Sequence, residues 1–431
     1  MLMNFKGGYY MSKSKHSNSM IVFLCTIAYF VGYISRKSFA VVLADMIPDV
    51  VTKDVAGLIG TALFVFYGVG QLISGYLGDR ISAKWLMSCG LFVSAICNLL
   101  LPLMPNGYIM IPIWAINGFA QALLWPPIVK ILAERLTHKK YVTANLIVTC
   151  GAHVSTVVLY VYAPICIRYM SYKAVFFSAS IITFIVGIIF LVAMSLVLKN
   201  SEKTDTCEPV LTKSEASCQE KHPLMHVFKS SGLISIFVCI VVMGVMRDGI
   251  ESWLPTLYCE VFNKTSEEGI LVSVLLPIFS IISLFVVRFV HKTKVFNNEA
   301  RGAGILFLIA ICLAFPVIFL IDINTRGCQI ASLVLIALVC ALMHSCNFLL
   351  ISCVPGRFAH SGRSATIGGI CNACTYIGAS ISSYGFALIS NALGWGATIG
   401  FWIGTLGVGV LFAVFALKKY TSFLKEKKSQ V

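Results

Sequence analysis

KNSEKTDTCEPVLTKSEASCQEKHPLMHVFKSS, residues Lys199–Ser231, is the one long polar stretch in a chain that is otherwise a succession of apolar runs. It mixes Lys203, Lys213 and Lys221 with Glu202, Asp205, Glu208 and Glu215 and has little apolar periodicity, so it reads as a cytoplasmic linker, partly disordered. Working back towards the N-terminus, runs of about 20 residues or more predict spans near Ser19–Ala44, Ala56–Gly78, Lys84–Met104, Tyr108–Ala133, Val142–Arg168 and Ala174–Leu198. Working forward, they predict spans near Gly232–Tyr258, Gly269–His291, Gly302–Asp322, Cys328–Val354, Ala365–Ser390 and Gly396–Leu417. The linker therefore divides the chain into two halves of six spans. Such an even division is expected of transporters built from repeated bundles with a substrate site between them.

Composition agrees with a lipid solvent. Of 431 residues, 58% are hydrophobic and only 12% charged, against roughly 25% charged in an ordinary soluble domain. One soluble core could not cover 29 Phe and a mean hydropathy of +0.88. The formal net charge of +15 would suit nucleic acid, but the basic residues sit at the ends of apolar runs, as in cytoplasmic loops facing anionic lipid. No nucleic-acid partner is expected. The sixteen cysteines are scattered along apolar stretches, where a free Cys behaves as a small hydrophobe. Cys371 and Cys374 form the only CxxC, inside an apolar segment with no second pair, so no metal is expected there. Lys6, Lys13, Lys15 and His16 before the first run superficially resemble a signal peptide. The run continues past Ala28 without a small-residue cleavage site and is read as the first span.

Lys and Arg accumulate on the cytoplasmic side of membrane proteins. Lys13 and Lys15, then Arg80 and Lys84, then Arg135, Lys139 and Lys140 fall on one side. So do Arg288, Lys292, Lys294 and Arg301, then Arg357 and Arg363, then Lys418, Lys419, Lys425, Lys427 and Lys428. The opposite loops carry Asp45, Asp49 and Asp54, or Glu260, Glu267 and Glu268, or almost no charge. Both termini are thus expected in the cytoplasm. The predicted organisation is a tail (1–18), a six-helix bundle (19–198), the linker (199–231), a second bundle (232–417) and a basic tail (418–431).

Two arginines lie inside apolar spans: Arg36 on the first helix and Arg247 on the seventh, each the first helix of its half. Both fall roughly 16 residues from their cytoplasmic starts, about 25 Å along a helix. A charge at that depth costs at least about 2.5–3.5 kcal/mol on insertion scales, so it faces a wet cavity or a partner. Snorkelling of Arg36, or pairing of Arg247 with Asp248 or Glu251, would explain each residue separately. Neither explains the matched depth. A guanidinium offers a planar fork of donors that suits phosphate oxygens. At ~10 Å and an effective dielectric of ~20 the two cations repel by about 1.7 kcal/mol, which an anion between them relieves.

The run Tyr29-x3-Tyr33-x2-Arg36-Lys37-Ser38-Phe39-Ala40, with Arg247 and Trp253-Leu254-Pro255-Thr256, resembles the organophosphate:phosphate antiporter family of the major facilitator superfamily. Tyr67-Gly68, Trp125-Pro126-Pro127, His153 and Tyr376-Ile377-Gly378 add to the resemblance, which covers nearly the whole chain. Gly75-Tyr76-Leu77-Gly78-Asp79-Arg80 is similar to the superfamily's loop motif between helices two and three. The resemblance implies an all-α membrane protein with the major facilitator fold, twelve transmembrane helices in two six-helix bundles. It also implies gating at Asp79 and Arg80, a phosphate clamp of Arg36 and Arg247 assisted by His153, and a site lined by Tyr29, Tyr33 and Tyr376. Lys37 matches in sequence, but the helical turn points it away from Arg36.

Glycerol-phosphate and hexose-phosphate members carry a lysine where Gln71 stands, and a tyrosine one turn before the seventh-helix arginine where Gly244 stands. A tenth-helix tyrosine is replaced by His344. The site is therefore expected to have lost a cation and gained room. Gly68, Gly70, Gly75, Gly78 and Gly118 are candidates for close helix crossings, and Pro126, Pro127 and Pro277 for kinks.

The expected function is exchange of a small organophosphate, of glycerol-3-phosphate or sugar-phosphate type, for inorganic phosphate by alternating access. A monomer in the cell inner membrane is expected, with no cofactor. Two alternatives stand beside it: a proton-coupled symporter or exporter, for which Asp248 and Glu251 are the candidate carboxylates, and a sugar-phosphate membrane sensor. There is no Walker loop, metal-binding histidine pair or nucleophile elbow, so no enzyme is expected.

Overall fold

The computed structural model describes residues 4–429 apart from residues 79, 203–230, 292, 294, 295, 297 and 359–363. Asp79 and nearly all of the linker fall outside the described residues. The described residues form α1 (Asn4–Met46), α2 (Lys53–Gly78), α3 (Ala83–Leu100), α4 (Gly107–Arg135), α5 (His138–Tyr169) and α6 (Tyr172–Glu202). After residue 230 come α7 (Leu233–Phe262), α8 (Ser266–Val290), α9 (Glu299–Leu320) and α10 (Arg326–Gly356). The last helical stretch, Ser364–Ser429, is interrupted at Gly394, whose φ of 80° belongs to the left-handed region that favours glycine. It is thus two spans, α11 (364–393) and α12 (395–429). The predicted basic C-terminal tail continues α12 as helix to Ser429.

Lipid contact explains which helices are apolar all round. Ile181, Ile182, Ile185, Ile188, Ile189 and Val192 of α6 are exposed, a stripe that only hydrocarbon would tolerate. In contrast, α7 is the most enclosed, with 67% of its central window buried. In the first half α1 packs on α5 and α6, α2 on α4, and α3 on α4 and α6; in the second, α7 packs on α11 and α9 on α10. The halves meet along α2 against α11, α5 against α8, and α1 against α7.

The three prolines singled out above each follow a break in their helix, whereas Pro112, Pro164, Pro255 and Pro316 lie inside unbroken helical segments. α4 breaks at Leu123 and Leu124, and Pro126 and Pro127 then open its second segment Trp125–Arg135. α8 breaks at Ser273 and Val274, four and three residues before Pro277. A proline ring clashes with the carbonyl four residues back.

The glycines divide sharply. Gly118 lies on the Leu63 carbonyl of α2, and a Cβ on Gly70 would meet that of Ala122 at 2.7 Å. Gly68 is looser, since a Cβ there would lie 3.2 Å from that of Tyr376, whereas a Cβ on Gly75 or Gly78 would meet nothing within 4 Å, and neither makes a crossing. An equally tight crossing lies at Gly378 and Gly244, which the sequence reading did not name as crossing glycines. Gly378 of α11 lies on the Val241 carbonyl of α7, with the Val245 nitrogen 2.8 Å from where a Cβ would be, and Gly244 of α7 lies reciprocally on the Thr375 carbonyl. The obstacles are backbone, so Gly378→Ala should destabilise by about 1–3 kcal/mol, read as a fall in melting temperature in detergent. Gly404→Ala, facing open space, should lose nothing.

Candidate functional site

Arg36 is held by what grips its neighbour. The Ser35 carbonyl accepts from Asn98 Nδ2 at 3.0 Å and Asn117 Nδ2 at 3.3 Å, and Ser35 Oγ lies 2.6 Å from Thr183 Oγ1. Ser38 donates to Asn98 at 2.7 Å, Ser94 to Asn117 at 2.6 Å, and Gln121 to Ser94 at 2.7 Å. Buried polar groups left unpaired are costly, so this network from α3, α4 and α6 fixes one face of α1. Arg36, one residue on, is thereby turned to the other side.

There its guanidinium lies 4.3 Å from the Tyr67 ring centroid, 5.4 Å from Tyr33, 5.6 Å from Tyr376 and 5.9 Å from Phe64. Ring faces attract cations electrostatically. Tyr67 and Tyr376 are themselves 4.4 Å apart, and Tyr29 joins the wall through Tyr33 at 4.9 Å and Trp125 at 5.2 Å. Arg36 is only 6% exposed, yet among the described residues no carboxylate forms an ion pair with it.

Arg247 is anchored differently. It donates to Asn347 Oδ1 at 2.8 Å and pairs with Asp248 at 2.6 Å. The Asp248 pairing named above as the bland explanation is therefore present; the Glu251 pairing is not. Tyr376 lies against Arg36 and within electrostatic reach of Arg247. Asn347 carries no motif, and the sequence marks it only as one of a short polar group with His344 and Ser345. A π-helical stretch, Phe348–Cys353, follows it directly.

Lys37 points away from Arg36, as the helical turn requires, and crosses to the other half, where its Nζ is 2.5 Å from Glu251 Oε2. Glu251 Oε1 lies 2.7 Å from His344 Nε2, and the His344 ring is edge-on to His153 with centroids 5.0 Å apart. Tyr160 donates to the Glu251 carbonyl at 3.3 Å. Arg36, Lys37 and Arg247 against Asp248 and Glu251 leave a formal +1 with both histidines neutral. Gln71 is half-buried on α2, one turn past Tyr67, and Arg80 is exposed with its guanidinium 4.4 Å from the Tyr76 ring. Gly244 does not give the site room. The space a larger side chain would need is filled by the α11 backbone at Thr375.

Beyond Arg36, towards the α1–α2 connection, a small cleft is lined by Lys37, Leu43, Trp114 and Trp253. On this side the halves are tied by Lys53 to Glu260 at 2.6 Å, Ser266 to Asp45 at 2.7 Å, Thr61 to the Ser380 carbonyl at 2.9 Å and Ser383 to the Gly57 carbonyl at 3.1 Å. Trp395 also donates to Glu260 at 2.7 Å. This end of the assembly is closed.

The profile of the Major Facilitator Superfamily matches residues 25–383. A probable hexose phosphate transport protein of Chlamydia muridarum is 20% identical over 95% of this chain and 92% of its own. The glycerol-3-phosphate transporter of Bacillus subtilis is 25% identical over 68% and 70%. Among solved structures, a bacterial homolog of the human lysosomal transporter Spinster superposes with a TM-score of 0.70 at 15% identity, covering 95% of this chain and 98% of that one. On a profile that spans most of its length and a fold of twelve helices in two bundles, the chain belongs to the Major Facilitator Superfamily and is a multi-pass membrane transporter, not an enzyme.

Proposed function

We infer that the protein exchanges a small organophosphate, of glycerol-3-phosphate or sugar-phosphate type, for inorganic phosphate by alternating access, with both termini cytoplasmic. The observation that carries this reading is Arg36: a buried cation faced by four rings rather than by a carboxylate, sharing Tyr376 with Arg247 of the other half. An anion supplies the missing counter-charge. The phosphate ester and inorganic phosphate present similar terminal oxygens, so both compete for the same fork. The names of the two relatives point to the same substrate class.

In this orientation the closed end is the outer face. The phosphate binds Arg36 on one half and draws Arg247 on the other, while His153, Tyr29, Tyr33 and Tyr376 shape the chamber. Opening the outer face requires breaking Lys37–Glu251 and Lys53–Glu260, and only the loaded site compensates for that loss. An empty carrier therefore switches slowly.

The purified chain tests the binding step. Ligand at 100 times its Kd stabilises the native state by about 2.7 kcal/mol. Phosphate and a cognate phosphate ester should both raise the melting temperature, and glycerol or glucose should not. In vesicles, uptake of labelled phosphate should require internal phosphate or organophosphate. Uptake into vesicles holding neither would overturn the exchange.

A further inference from the structure

Cys340 and His344 are four residues apart on α10, one helical turn, and so share a face. Glu251 of α7 meets that face: the Cys340 sulfur, a His344 ring nitrogen and a Glu251 carboxylate oxygen lie within 4.8 Å of one another. Cys340 and His344 are buried and Glu251 nearly so. None of the three belongs to the phosphate fork.

We propose that Glu251, Cys340 and His344 form a binding site for a divalent transition-metal ion of the Zn²⁺ type. With metal–nitrogen and metal–oxygen bonds of about 2.0–2.2 Å and metal–sulfur bonds of about 2.3 Å, a tetrahedral ion sets its donors roughly 3.3–3.7 Å apart. The present spread, from the 2.7 Å His344–Glu251 contact up to the 4.8 Å limit, brackets those separations. Shifts of about 1 Å close the site. The ion takes the place of the proton between His344 Nε2 and Glu251, that proton moves to His344 Nδ1, and the Cys340 thiol releases its own proton to solvent. A thiolate, an imidazole and a carboxylate select zinc, cobalt or cadmium over the hard cations magnesium and calcium.

Occupancy acts on the transporter through Glu251. That carboxylate also holds Lys37 across the two halves. Once it shares its charge with a dication it holds Lys37 less, and the dication itself repels the ammonium. The pair must re-form each time the outer face closes, so the ion inhibits exchange, although it does not occupy the phosphate fork.

Cobalt is the probe for binding. The full chain, purified in detergent, should take up one equivalent of Co²⁺ with a thiolate-to-metal charge-transfer band that Zn²⁺ abolishes by competition. Cys340→Ser and Cys340→Ala should each lose the band and weaken Zn²⁺ binding at least about tenfold. Either variant that remains monodisperse decides the matter. In phosphate exchange, Zn²⁺ should inhibit the wild-type chain, and the Cys340 variants should exchange normally but need at least about tenfold more Zn²⁺ for the same inhibition. No band in the wild-type chain overturns the site. A band that persists in the variants also does so, by placing the metal on other thiols such as the exposed Cys89 or Cys312. The cobalt titration does not depend on transport, so it stands even if phosphate exchange fails.

Discussion

Arg36→Lys should lower phosphate exchange by about 100-fold at matched protein levels. The substitution keeps the charge and removes two things the site is built around. A lysine ammonium has no planar face to lie against Tyr67 and its neighbours, and it cannot offer two parallel donors to one phosphate. A hydrogen bond to a charged group is worth about 1.5–3 kcal/mol, and each 1.4 kcal/mol is tenfold in rate. Losing one arm of the fork alone accounts for the predicted drop. Arg247→Lys should cost a similar factor, since Asp248 and Asn347 hold the present guanidinium by two separate donors. The measurement is the initial rate of labelled phosphate entry into phosphate-loaded vesicles. A decrease of less than threefold for Arg36→Lys would remove Arg36 from the substrate contact.

Glu251→Gln should destabilise the protein by about 3–5 kcal/mol, because it strands the enclosed Lys37 ammonium without its partner. Both side chains are mostly buried, 10% and 14% exposed, so solvent screening does not dilute the effect. Adding Lys37→Met should recover most of the lost melting temperature, since a neutral pair of similar size no longer buries a lone charge. The double variant should still exchange poorly, having lost the link that couples the halves. Glu251→Gln by itself therefore cannot distinguish a proton-coupled symporter from an exchanger. Full exchange in the double variant would show that the ion pair has no part in coupling. Glu260→Gln should cost less than Glu251→Gln, because the Glu260 carboxylate is 36% exposed.

The spans were legible because lipid imposes a length on every apolar run, and even the break between the last two was marked by the gap before Gly396. The depth of Arg36 and Arg247 was legible for the same reason: a charge in an apolar helix stands out. Their surroundings were not. Ser94, Asn98, Asn117 and Gln121 are ordinary polar residues on two helices, and only packing reveals that they converge on Ser35. Lys37 and Glu251 are 214 residues apart, beyond the reach of any local pattern. Gly244 was misread in sign, because a missing side chain signals space in a string of letters and close backbone approach in a bundle.

The reciprocal seating of Gly244 on Thr375 and Gly378 on Val241 means that α7 and α11 cannot slip past each other without a backbone collision. Arg247 and Tyr376 therefore travel as a single rigid jaw throughout the cycle. Adjustment to cargo of different girth must come from the opposing jaw, where α2 carries Tyr67 and Gln71 and its contact with α11 at Gly68 is looser.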